Sequence, residues 1–149
     1  MLANLTSERI VSGDFYTRDI GFLKEGELFI LGRSDDLIIV NGRNHYAHDL
    51  EAVVNKVEGV KPGRCAVIGV FNETHGSEEV IVIAERALDN EVTEVDMKQT
   101  IKETVFCEAD LAIRNVYIVR PNWLVKTSSG KLSRDGNKTK YLLETARPD

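Results

Sequence analysis

The alternation of apolar and polar positions along the chain predicts a short series of elements. Phe22-Leu23 and Leu28-Phe29-Ile30-Leu31 flank Lys24-Glu25-Gly26-Glu27, two apolar runs around a polar, glycine-bearing turn, as in a β-hairpin. Leu37-Ile38-Ile39-Val40 is rich in β-branched residues and bounded by Asp35-Asp36 and Asn41-Gly42, which predicts a buried strand. Leu50, Val53, Val54 and Val57 then fall at i, i+3, i+4 and i+7, one stripe of a helix that Gly59 is placed to end. Two strands follow the Pro62-Gly63 turn, Arg64 to Phe71 and Glu78 to Glu85, around a polar loop from Asn72 to Ser77. A second helix is expected from Thr93 to Cys107, with Thr93 and Asp96 as a capping box and Met97, Ile101 and Val105 on one face. Ile113 to Val119 returns as a strand. A polar loop then leads into a last helix from about Ser133 to Glu144, weakened near its start by Gly136.

This order, β-β-α-β-β-α-β-loop-α, predicts an α+β domain in which helices pack on a small mixed β-sheet. Between Gly32 and Asp36 the hairpin stops and a polar joint begins. The residues before it are too few for a core of their own and read as the end of something larger.

Composition changes this picture little and charge changes it more. With 149 residues, 42% hydrophobic and 29% charged, the chain has the make-up of one soluble domain. No apolar run approaches the ~20 residues of a membrane span, the N-terminus lacks a secretory layout, and a cytoplasmic location is expected. Cys65 and Cys107 stand far apart in no metal-ligand spacing and are expected as free, buried thiols. The net charge of −5 argues against a nucleic-acid partner. It is uneven, however: eight Lys or Arg face three Asp or Glu from Leu111 onward, against eleven and twenty-one before it. A basic segment on an acidic chain suits a local site for a small anion, and equally a solvated basic tail.

Three segments carry candidate chemistry. Lys126-Thr-Ser-Ser-Gly-Lys131-Leu-Ser-Arg134 puts three cations into nine residues around a glycine. It is not a phosphate-binding P-loop, because Val125 stands where the first glycine belongs and Leu132 follows the lysine. In Tyr16-Thr-Arg-Asp19-Ile-Gly-Phe22 a carboxylate lies among strand residues, able to accept two sugar hydroxyls or to cap a turn. Gly32-Arg33-Ser34-Asp35-Asp36 and Gly42-Arg43 bracket the Leu37–Val40 strand, and their arginines offer planar forks for phosphate or carboxylate. His45, His48 and Asp49 share a helix face without a fourth donor, so no metal site is expected.

Together these segments resemble, in order and spacing, the C-terminal end of the adenylate-forming superfamily of acyl-CoA synthetases, luciferases and adenylation domains. Thr17-Arg-Asp-Ile-Gly21 is similar to its Thr-Gly-Asp-Leu-Gly segment, with Arg18 in place of glycine. Gly32 to Asp36 is similar to its hinge, and Lys126 to Arg134 to its last motif, with Val125 replacing the usual proline. Gly42-Arg43-Asn44-His45-Tyr46 followed by Asp49-Leu50-Glu51 resembles the fatty acyl-AMP ligase branch. The resemblance spans residues 14 to 143.

What it implies is a fragment of an ATP-dependent ligase, inactive alone, that activates a fatty or similar acid as acyl-AMP for an acyl-carrier thiol. Transfer to CoA, or a non-catalytic binding domain that kept the fold, are the alternatives. Residues 1–32 would be the remnant of a large N-terminal adenylation domain, 33–36 a hinge, and 37–149 the mobile C-terminal domain. Lys131 would be catalytic, between the substrate carboxylate and the α-phosphate. Asp19 would bind the ribose of ATP with Arg33 nearby, Asp35 would be the pivot, and Gly42 and Arg43 would line the acceptor side. ATP and Mg²⁺ would be held mainly by the N-terminal domain. The partners implied are that domain, a fatty acid, and a carrier protein or CoA.

Overall fold

The computed structural model describes residues 10–11, 14–88 and 91–146, and the chain divides into two compact units, one ending at Leu37 and one beginning at Ile38. In the first, β1 (Ile10–Val11) pairs antiparallel with β2 (Asp14–Phe15), and β3 (Asp19–Lys24) with β4 (Glu27–Arg33). The β3–β4 turn is Glu25-Gly26, both at positive φ, the mirror-image turn whose twist matches that of the flanking strands. This hairpin is the one expected from the apolar pattern. Its apolar side chains stay in solvent: Phe22, Leu23, Leu28, Phe29, Ile30 and Leu31 are all exposed. A short 3₁₀ turn, Ser34–Asp36, follows it.

From there β5 (Leu37–Val40) pairs with β6 (Arg43–Tyr46), which runs into α1 (Ala47–Val54). The strand Arg43–Tyr46 was not expected, because Arg-Asn-His-Tyr shows no apolar alternation. Nor is β5 fully buried: Ile38 is, while Ile39 is half-exposed, because a two-stranded ribbon has only one face against the core. Helix α1 stops at Val54, one turn before the apolar stripe ends. The Asn55 side chain donates to the Glu51 carbonyl and accepts the Gly63 N–H, which steers the chain into the next strand.

The second unit is built on three strands, β7 (Val60–Asn72), β8 (Ser77–Arg86) and β9 (Ile113–Val119), in the order β7-β8-β9. β7 and β8 are antiparallel, β8 and β9 parallel, and α2 (Glu94–Ala109) makes the crossover that a parallel pair requires. The α+β class with a small mixed sheet is therefore borne out. Alternate side chains serve two cores, one on each face. Cys65, Val67, Val80, Val82 and Ala84 point toward α1 and α2, where they meet Leu50, Val54, Met97, Ile101 and Val105. Ala66, Ile68, Ile81 and Ile83 point to the other face, under Trp123, Leu124 and Tyr141. Thr93 caps α2 by accepting the Asp96 N–H at 3.1 Å. Helix α3 (Arg134–Thr145) starts on Ser133, whose hydroxyl accepts the Gly136 N–H.

Candidate functional site

In the first unit the ladder makes Asp19 and Arg33 direct cross-strand partners at the open end of β3–β4. Beside them Asp35 is held from two sides, by Arg18 Nη1 on Oδ1 at 3.1 Å and by Arg33 Nη2 on Oδ2 at 3.2 Å. Partial burial pushes the Asp35 carboxyl up, but the hydrogen bonds from the two guanidinium groups outweigh it and leave the group below its ordinary value. Three of the residues singled out in the sequence thus form one cluster, together with an arginine that the sequence marked only as a departure from the motif. Asp19 is exposed, and its N–H donates to the Thr17 hydroxyl.

In the second unit Gly42 follows Asn41 in the β5–β6 turn, at φ 77° and 49°, backbone that suits an Asn-Gly pair. Arg43 leaves this turn and pairs with Asp110 at 2.8 Å, both exposed. It lies on the rim of a concavity of about 790 Å³, which Asn41, His45, Glu78, Glu79 and Arg114 also line. Burial, then the neighbouring Arg43 charge, lowers the His45 pKa and favours its neutral form.

The Lys126–Arg134 segment is an ordered hairpin rather than a loose loop. Lys126 and Leu132 form an antiparallel bridge, the Thr127 N–H donates to the Lys131 carbonyl at 2.7 Å, and the Gly130 N–H to the Thr127 carbonyl at 2.9 Å. Gly130, at φ 83°, makes this reversal possible. The root of the hairpin is clamped by Asn137, a fully buried amide on α3. Its oxygen accepts the Val125 N–H at 2.8 Å, and its nitrogen donates to the Val125 and Ser133 carbonyls at 3.1 and 2.7 Å. At the hairpin's far end Lys131 is exposed, and no carboxylate pairs with it among the described residues.

Arg134 is not a third cation aimed at a ligand. It makes a bidentate pair with Glu51, at 2.9 and 2.6 Å, and Glu51 also accepts the Val67 N–H of β7. A second carboxylate, this one buried, bonds the backbone at Leu124, just before the hairpin. Glu85 is fully buried, takes both donors of Arg64 at 2.8 Å and accepts the Leu124 N–H at 3.0 Å. Burial would raise its pKa, and these hydrogen bonds hold it below the ordinary carboxylate value instead. Sequence reading missed Asn137, Glu51 and Glu85. Asn137 had one signal, its i−4 spacing from Tyr141 on the buried face of α3. The cysteines also differ from expectation: both are free, but Cys107 is exposed on α2, and only Cys65 is buried, its thiol pushed up to about 12 by burial. Among the described residues no three His, Cys, Asp or Glu side chains converge as a group that could hold a metal ion. No helix among them is long and apolar enough to cross a membrane.

This arrangement of mixed sheet, helices and hairpin is an adenylation-domain fold. The solved structure of McyG A-PCP complexed with phenylalanyl-adenylate matches it with a TM-score of 0.80 at 31% identity, covering 97% of this chain and 26% of that one. The model of the Disco-interacting protein 2-like AMP domain matches residues 35–147, and the chain belongs to that family. The medium-chain-fatty-acid–[acyl-carrier-protein] ligase JamA of Moorena producens is 39% identical over 129 residues, 85% of this chain and 22% of JamA. The long-chain-fatty-acid–AMP ligase FadD26 of Mycobacterium tuberculosis is 33% identical over 131 residues, 84% of this chain and 22% of FadD26. The chain thus spans about a fifth of the length of these relatives, and its resemblance to the adenylate-forming superfamily, on the fatty acyl-AMP ligase side, is borne out.

Proposed function

We propose that the chain is the C-terminal portion of a cytoplasmic, ATP-dependent ligase that activates a fatty or similar carboxylic acid as acyl-AMP and passes it to an acyl-carrier thiol. The observation that carries this reading is Lys131: an exposed ammonium, without a carboxylate partner among the described residues, on a hairpin whose root is locked by Asn137. Attack of a carboxylate on the α-phosphate of ATP brings two anions together and builds charge on the pentacoordinate phosphorus. A preorganised cation lowers the barrier where that charge peaks, by ~3–4 kcal/mol for one well-placed donor. The hairpin supplies the preorganisation, because its backbone bonds are already made.

In this reading residues 1–32 belong to a larger N-terminal domain, 33–36 are the hinge and 37–149 the mobile domain. The bare apolar side chains of the β3–β4 hairpin support the first assignment, since single domains rarely leave such a patch in water. Asp19 accepts the ribose hydroxyls, Arg33 supports the nucleotide beside it, and Asp35 is the pivot. Gly42 and Arg43 face the acceptor after the domain has turned. Mg²⁺ would enter with the triphosphate of ATP, and no residue of this chain is assigned to it. The carrier-protein acceptor, rather than CoA, is favoured by the likeness to JamA.

The test is kinetic. In the full-length protein, Lys131→Ala should slow acyl-adenylate formation at least ~100-fold and leave thioester formation from supplied acyl-adenylate intact. An unchanged adenylation rate would refute the role of Lys131.

A further inference from the structure

Arg18 occupies a position where the similar motif carries glycine, and its backbone is left-handed, at φ 65°. An arginine persists in that region only where its surroundings hold it there. Two sets of bonds do so. Its carbonyl accepts the Ser34 N–H at 2.8 Å and the Ser34 hydroxyl at 3.2 Å. Its guanidinium meets one Asp35 oxygen while Arg33 meets the other, and the Ser34 hydroxyl also reaches Asp35, at 3.4 Å. A carboxylate with both oxygens engaged by planar forks keeps one orientation. Backbone and side chain of the 34–36 turn are therefore both tied to Arg18, immediately before the first unit ends at Leu37.

We propose that Arg18 is a positioning residue that locks Ser34 and Asp35 in one conformation and so restrains the joint that follows them. The inference rests on the reading of Asp35 as the hinge. Turning the backbone about φ of Asp35 swings its carboxylate away from the two guanidinium groups and breaks at least one of these bonds, so the Arg18 grip resists that rotation of the joint.

Arg18→Gly suits φ 65° and spares the backbone bonds to Ser34, so the variant retains the fold. In the full-length protein it should speed amide exchange over residues 34–37 at least ~10-fold. Arg18→Lys should restore part of the protection, and the effects of Arg18→Gly and Asp35→Asn should fall well short of additive when combined. The ratio of adenylate formation to thioester formation from supplied adenylate should also change at least ~3-fold in Arg18→Gly. Unchanged exchange, additive exchange in the double variant, or faster exchange with an unaltered ratio would each overturn the proposal. A wild-type protein that makes no adenylate would count against the functional reading alone, and exchange would then decide the role of Arg18.

Discussion

At the residue scale, the most constrained groups are the buried polar ones. Glu85 has no exposed surface, and its pair with Arg64 stands between the sheet and the base of the Lys131 hairpin. Replacing it with Gln leaves the Arg64 charge without its counter-ion, and removal of one partner from a buried pair costs about 3–5 kcal/mol. Urea unfolding of Glu85→Gln should show a loss of that order. The pH dependence has a definite sign. Since the folded pKa lies below the unfolded one, the folded state binds the proton more weakly. The stabilisation is complete above the unfolded carboxylate range and is lost as pH falls through the folded value. Between about pH 5 and pH 3 the wild type should therefore lose more stability than Glu85→Gln. Parallel stability curves would mean that Glu85 is not the group responsible.

At the element scale, the candidate site is a hairpin held by a helix. Four features hold it in shape: the Lys126–Leu132 bridge, the Gly130 reversal, the Ser133 cap and the Asn137 clamp. Asn137→Ala would strand the Val125 N–H and take one of two donors from the Val125 and Ser133 carbonyls, which keep the Ser133 and Asn137 N–H groups, at about 1–3 kcal/mol. The expected result is lower resistance to urea together with faster exchange of the Thr127 and Ser133 amides, and slower adenylate formation in the full-length protein. Exchange at Thr127 as slow as in the wild type would show that the hairpin stands without its clamp. Lys140 adds support from the same helix: its ammonium donates to the Trp123 carbonyl at 2.7 Å and lies 4.0 Å from the centroid of the Trp123 ring. The aromatic cluster below, Tyr117 edge-on to both Trp123 and Tyr141, fixes the chain that leads into the hairpin.

At the scale of the whole molecule, the two units differ in kind. The second has a sheet covered on both faces and two apolar clusters. The first carries an apolar ribbon in water, with Leu23 75% exposed opposite Leu28 at 64%. Changing both to Ser should reduce self-association of the isolated chain in analytical ultracentrifugation. In the full-length protein the same change should lower stability, if the ribbon packs there against a larger domain as proposed. No gain in monomer would argue against this ribbon as a sticky surface.

By itself the sequence determined the elements whose signals are local. The 3.6-residue stripe of Met97, Ile101 and Val105, the Thr93 cap, the Glu25-Gly26 turn and the β-branched runs of β7, β8 and β9 each name their own structure, because propensity and periodicity act within a few residues. Motif order was legible as well, and with it the family. Strand β6 was not, since Arg-Asn-His-Tyr becomes a strand only by pairing with β5 across the Asn41-Gly42 turn. Only the tertiary structure separated the cations that look alike in the sequence. Arg134 is bound by Glu51, 83 positions away, Arg64 by Glu85 and Arg43 by Asp110, while Lys131 stays unpaired among the described residues. Which charge is neutralised depends on long-range contacts that no local pattern encodes, and that pairing removes Arg134 from the segment's three cations and leaves Lys126 and Lys131 without a carboxylate partner among the described residues.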